Sequence, residues 1–185
     1  QSMAISRPFW MPSVHVGHTC TKDAQALAEH AARIQANGIA SIGPCFFEAE
    51  SAAVLSRYCA QIASAAPETP FYYYHMPSMA KVAKVKASDA LACMAKDISN
   101  FAGVKFTHED IEDYQRCLAL SKGRWDIFFG RDELLLDALR VGAKCAVGST
   151  YNFATALYRK IIRLHAEGKL EAAAQMQRLA TEGIN

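Results

Sequence analysis

The residue with the clearest chemical potential is Lys105, which stands in the middle of the short apolar run Phe101-Ala102-Gly103-Val104-Lys105-Phe106-Thr107. The run reads as a β-strand, and a lysine inside such a strand must either reach water or do chemistry. Alternate side chains share a face, so Lys105 points with Gly103 and Thr107, while Val104 and Phe106 point the opposite way. One surface thus carries an amine, a hydroxyl and a gap without a side chain. Removing an amine from water disfavours the ammonium, and the neutral amine is the form that attacks a ketone to give a Schiff base. Lys105 is therefore the candidate nucleophile. The plainer alternative is a strand lysine whose stem packs while its head reaches solvent.

Other polar residues gather where strands are expected to end: Thr19, Tyr74-His75, Thr107, Gly130 with Asp132 and Glu133, and Ser149-Thr150. Each has an ordinary explanation as well. Tyr72, Tyr73 and Tyr74 suit aromatic strand packing, Asp132-Glu133 suits a helix N-terminus, and Ser149-Thr150 suits a helix cap. His15, His18 and His75 invite a metal reading, but their spacing puts no two of them on one helical face, so no metal site is assigned. His165 falls in a closing helix and reads as a surface or packing residue.

The elements that must hold these residues alternate regularly. Strands are expected at Val14–Thr19, Ile39–Pro44, Phe71–Pro77, Phe101–Thr107, Trp125–Phe129 and Ala143–Val147. Helices are expected at Lys22–Asn37, Ser51–Ala66, Ser88–Ile98, His108–Ala119, Asp132–Val141, Ser149–Glu167 and Leu170–Thr181, the last two broken at Gly168. The first helix should bury Ala24, Leu27, Ala31 and Ile34. Six strand-then-helix units imply parallel strands joined by helical crossovers. An open doubly wound sheet and a (β/α) barrel both satisfy this order. No strand leads into a G-x-G-x-x-G loop, and polar residues follow several successive strands, which favours the α/β fold of the TIM-barrel type. A complete barrel has eight strands in about 250 residues. With six, the expectation is an incomplete barrel at 14–185 with closing C-terminal helices, preceded by a tail at 1–13.

With 185 residues and 51% apolar residues the chain can build one substantial core. Lys plus Arg is 20 and Asp plus Glu is 18, and no basic block or aromatic-basic interleaving marks a nucleic-acid surface. Pro8 and Pro12 break the start too early for a secretory core, and no apolar run is long enough to span a membrane. A soluble, cytoplasmic protein is expected, its six scattered cysteines reduced and engaged in packing. The absence of an initial methionine hints at a trimmed N-terminus.

Four stretches taken in order, Tyr72-Tyr73-Tyr74-His75-Met76-Pro77, Gly103-Val104-Lys105-Phe106-Thr107, Phe129-Gly130-Arg131-Asp132-Glu133 and Gly148-Ser149-Thr150-Tyr151-Asn152, resemble the N-acetylneuraminate lyases of the dihydrodipicolinate-synthase-like superfamily. The resemblance implies a class I aldolase that cleaves N-acetylneuraminate to pyruvate and N-acetylmannosamine. It places Lys105 at the Schiff-base lysine and Tyr74 at the proton-shuttling tyrosine. It places Thr107, Gly130, Asp132, Glu133 and Ser149 where the sugar acid binds. It implies no cofactor beyond the covalent imine on Lys105, and a homo-oligomer, a tetramer by resemblance. Three departures stand beside it: nothing in Gln1 to Ser13 matches the family's Gly-Thr-Thr-Gly-Glu carboxylate loop, Phe46-Phe47 lies where many relatives carry an intersubunit tyrosine, and Lys81 and Lys84 charge a loop that is usually less charged. Two further readings follow. One is a shortened, non-catalytic chain that associates with full-length subunits; the other is a different 2-oxo acid aldolase of the same superfamily.

Overall fold

In each strand two kinds of side chain alternate, and the alternation decides which way the sheet curls around its polar face. The computed structural model of the chain describes residues 13–184. The tail expected at 1–13 lies outside the described residues except for Ser13, which already opens the first strand. The strands are β1 (Ser13–His15), β2 (Gly38–Ile42), β3 (Phe71–His75), β4 (Phe101–Phe106), β5 (Asp126–Phe129) and β6 (Cys145–Ala146). The helices are α1 (Thr21–Arg33), α2 (Ala52–Ala63), α3 (Ala87–Asp97), α4 (Ile111–Ser121), α5 (Leu135–Arg140), α6 (Tyr151–Ala166) and α7 (Leu170–Glu182). All neighbouring strands are parallel and run in sequential order from β1 to β6. A doubly wound sheet reverses its order at a switch point, and no reversal occurs here. The fold is an incomplete TIM-type α/β barrel, an arc whose outer strands β1 and β6 each have one strand neighbour among the described residues.

The outer face of the arc is the apolar one. Val16, Ile39, Phe71, Tyr73, Val104, Phe106, Ile127 and Phe129 are buried against the helices in one core. Phe106 is stacked on His75 and packed against Tyr114 and Phe129. Burying one such ring is worth about 1.5–3 kcal/mol. That sum over Val104 and Phe106 sets the parity of β4, so Lys105 turns to the inner face. A slip of one residue would bury the amine among the helices and expose both apolar chains.

Sequence periodicity misplaces several details. Helix α1 stops at Arg33, before Asn37-Gly38, where Gln35 takes a left-handed φ of 60°. Its buried stripe is Ala24, Ala28 and Ala31, whereas Leu27 and Ile34 are exposed, because small side chains let the helix lie close on the sheet. Asp110 caps α4 through the amide of Asp113, so that helix begins at Ile111 rather than His108. Asp113 itself is buried and accepts hydrogen bonds from the Ala87 and Ser88 amides and the Ser88 hydroxyl, capping α3. The helix expected from Asp132 is a 3-10 turn, Asp132–Leu134, followed by α5. Among the cysteines, Cys59 and Cys117 pack in the interior, but Cys20 and Cys45 are exposed, against the expectation of packing. A second, smaller core joins α5, α6 and α7 through Leu135, Leu136, Tyr158, Ile161, Leu164, Ala173 and Ala180. No helix among the described residues is long and apolar enough to cross a membrane.

Candidate active site

Register brings Tyr74 of β3 directly beside Lys105 of β4 on the inner face. The lysine is half-buried, and its Nζ lies 3.7 Å from the centroid of the Tyr74 ring. Such a contact attracts a cation to the negative face of the ring. The Tyr74 hydroxyl turns away from the amine and approaches Met76 Sδ at 3.3 Å, a weak acceptor that a stronger one can replace. Two residues before Lys105, a Cβ on Gly103 would run into the backbone of Asp126, so glycine lets β5 approach closely there, and Tyr72 donates to Asp126 Oδ2 at 3.0 Å. Tyr72 and Tyr74 thus face inward while Tyr73 is buried in the outer core, donating or accepting at His75 Nδ1. Simple aromatic packing accounts for Tyr73 alone.

His15 of β1 also sits on the inner face, its ring 6.3 Å from that of Tyr74. Its Nε2 accepts from the Ile42 amide at 3.3 Å. Burial, and then the charge on Lys105, hold its pKa below the ordinary histidine value. Sequence reasoning weighed His15 only as a metal ligand. No group of three or more His, Cys, Asp or Glu among the described residues is arranged to hold a metal ion.

The ends of β4, β5 and β6 supply the rest of the site through two side-chain-free gaps. A Cβ on Gly130 would lie 2.2 Å from Thr107 Oγ1, and a Cβ on Gly148 would lie 1.5 Å from Asp132 Oδ1. The hydroxyl of Thr107 and the carboxylate of Asp132 therefore occupy volume that only glycine concedes. Asp132 is nearly fully buried, and its Oδ2 accepts from the Thr150 amide at 3.0 Å and the Thr150 hydroxyl at 2.5 Å. Its Oδ1 and the Thr107 Oγ1 are buried without a protein partner. Buried polar atoms left in this state are costly, and each can take a hydrogen bond from a group that enters the cleft. Glu133 is half-buried and lies 3.5 Å from Arg131 Nε, and Arg131 also approaches Glu109 at 3.7 Å. Both are ion-pair contacts rather than hydrogen bonds.

Tyr74, Lys105, Thr107, Gly130, Asp132, Glu133 and Ser149 all line one cleft of 280 Å³. The cleft brings together all seven residues that the sequence singles out, contributed by the ends of four strands, β3 to β6. It also includes Met76, Arg131, Gly148, Thr150 and Ile184, which the sequence reading did not assign to the site. Thr150 was visible beside Ser149 as a possible helix cap; its hydroxyl makes no cap bond and turns to Asp132 instead. Arg131 was visible between Gly130 and Asp132, yet nothing local distinguishes it from a surface arginine.

The model of the Dihydrodipicolinate synthetase family matches residues 13–182. The chain belongs to that family. Within it, the N-acetylneuraminate lyase of Mus musculus is 46% identical over 141 residues, which cover 76% of this chain and 44% of that relative. The N-acetylneuraminate lyase of Gallus gallus is 39% identical over 173 residues, 93% of this chain and 56% of the relative. The native structure of the N-acetylneuraminate lyase (sialic acid aldolase) from Aliivibrio salmonicida superposes with a TM-score of 0.84 at 40% identity, covering 89% of this chain and 54% of that one. The chain spans about half the length of the curated relatives it matches.

Proposed function

We propose that the cleft is the imine-forming and sugar-binding part of an N-acetylneuraminate lyase. The observation that carries this reading is the joining, in one cleft of a member of this family, of the Lys105 amine with the sugar-binding candidates Thr107, Asp132, Glu133 and Ser149. In this reading the neutral Lys105 amine adds to the ketone carbon of the open-chain sugar acid and water leaves, giving an iminium. A base removes the proton from the hydroxyl on the carbon that becomes the aldehyde. The carbon–carbon bond breaks, its electron pair moves into the iminium to form an enamine, and N-acetylmannosamine departs. Protonation of the enamine and hydrolysis of the imine then release pyruvate and restore the amine.

Tyr74 is the group placed to move these protons. A free tyrosine titrates near 10, too high for an unaided base, so the substrate carboxylate or neighbouring hydroxyls must share the proton. Gly130 belongs to the sugar site by giving Thr107 its room. Asp132, Glu133 and Ser149 hold the hydroxyls of the sugar chain, and a site built to bond hydroxyls strongly rejects substrates that lack them. Because the iminium is the electron sink, the chemistry calls for no metal or organic cofactor. The cytoplasmic location expected from the sequence and the tetramer implied by the resemblance belong to the same proposal.

Borohydride reduction in the presence of pyruvate, followed by peptide mass spectrometry, tests the assignment. The adduct is expected on Lys105. An adduct on exposed Lys122 or Lys144 instead would refute it.

A further inference from the structure

The carboxylate of Asp132 is held by a one-way chain of hydrogen bonds that begins just behind the cleft lining, on α6. A carboxylate only accepts, so the Thr150 hydroxyl gives its single proton to Asp132 Oδ2 at 2.5 Å. The Thr150 oxygen lies 2.6 Å from the Tyr158 hydroxyl and must therefore accept from it. Tyr158 belongs to α6 and is buried in the second core, and that burial pushes its pKa up, which keeps the phenol protonated and able to donate. The chain runs from Tyr158 to Thr150 to Asp132. It consumes Oδ2 and leaves Oδ1 as the carboxylate's unpartnered atom.

The backbone of the same turn is fastened independently. The Gln177 side chain on α7 donates from Nε2 to the Asp132 carbonyl at 3.0 Å and accepts at Oε1 from the Leu136 amide at 3.0 Å. One amide group thus bridges the 3-10 turn that carries Asp132 and Glu133 to the start of α5. Both fastenings come from the α6–α7 pair, which packs in its own core, separate from the one that anchors β4 through Val104 and Phe106.

We infer that Tyr158 and Gln177 are positioning residues that set the selectivity of the cleft for the polyhydroxylated chain, by fixing Asp132 Oδ1 and the turn beneath it while leaving imine formation at Lys105 untouched. The inference rests on the proposed lyase reading. Neither residue lines the cleft, so each acts through Asp132.

The test uses the protein expressed from its full reading frame, with Tyr158→Phe, Gln177→Glu, Thr150→Val and Thr150→Ser. Gln177→Glu keeps the acceptor for Leu136 but loses the donor to Asp132. For Tyr158→Phe and Gln177→Glu the KM for N-acetylneuraminate should rise roughly 3- to 10-fold, the scale of one hydrogen bond, with pyruvate trapping at Lys105 unchanged. Thr150→Val should cost more, on the order of 10- to 100-fold, because it removes a bond to a charged acceptor and strands the Tyr158 hydroxyl. Thr150→Ser keeps the hydroxyl relay and should recover most of the KM loss seen in Thr150→Val. An unchanged KM in Tyr158→Phe and Gln177→Glu, or parallel losses in KM and pyruvate trapping, would overturn the inference while the lyase reading stands. Failure of the unaltered protein to trap pyruvate at Lys105 would overturn the lyase reading and the inference with it.

Discussion

Replacing Gly148 by alanine introduces one methyl group at the tightest point of the cleft. The added Cβ would lie 1.5 Å from Asp132 Oδ1, 2.3 Å from Cγ and 2.6 Å from Oδ2, so no rotation of the carboxylate about its own bond relieves the clash. To reach ordinary contact with the new carbon, Oδ1 must retreat by about 2 Å. The bonds from Thr150 at 2.5 and 3.0 Å do not survive a movement of that size. Hydrogen bonds to a charged acceptor contribute about 1.5–3 kcal/mol each, so expelling the carboxylate forfeits roughly 3–6 kcal/mol before the loop relaxes. A displacement of 1 Å in a positioning group can cost about 10²-fold in rate, and the expected loss in kcat/KM on N-acetylneuraminate is of that order. Imine trapping of pyruvate at Lys105 should stay close to wild type, because the methyl group meets the Asp132 carboxylate and not the amine. A double-mutant cycle isolates the cause: in an Asp132→Ala background, Gly148→Ala should cost little more. Additive losses in that cycle, or full neuraminate activity in Gly148→Ala alone, would show that the carboxylate does not depend on the gap.

Tyr74→Phe should keep the ring that faces Lys105 Nζ and lose only the hydroxyl, so turnover should fall about 10²–10⁴-fold while imine trapping persists; unchanged turnover would move proton transfer to another group. Glu133→Gln should weaken catalytic efficiency on the sugar more than pyruvate affinity, and equal losses in both would make Glu133 a structural partner of Arg131. His75 predicts an acid limb in stability. Burial first, then the neighbouring His108, lowers its pKa from 6.5 to about 4, so between those values the unfolded chain binds a proton that the folded chain refuses. Stability is then fully present above 6.5 and is lost as pH falls toward 4, by a ceiling of about 3 kcal/mol. Urea titrations should find this loss flattened in His75→Leu, despite that variant's lower stability overall; an unchanged slope would place the titration elsewhere.

What the sequence determined by itself was the parity of the strands, which depends on a local period of two residues. The parity of β4 follows from Val104 and Phe106 flanking Lys105, and the same two-residue period separates Tyr74 from Tyr73. The alternation of strand and helix was enough to anticipate a barrel arc, and the family resemblance of four short stretches marked seven residues that the fold then brings to one cleft. Helix α1 was less legible, since Leu27 and Ile34 share a helical period with the buried alanines but fall just outside the contact strip, whose width is set by how closely helix and sheet approach. Tertiary structure alone decided how Asp132 is held. Thr150 lies 18 residues from it and Gln177 lies 45 residues from it, and no period links such positions. Whether a threonine caps its own helix or bonds a carboxylate, and whether a glycine is a turn or a concession of volume, depends on atoms from another strand end arriving within about 3 Å, the reach of a hydrogen bond. That distance is fixed only when the helices and the sheet have packed.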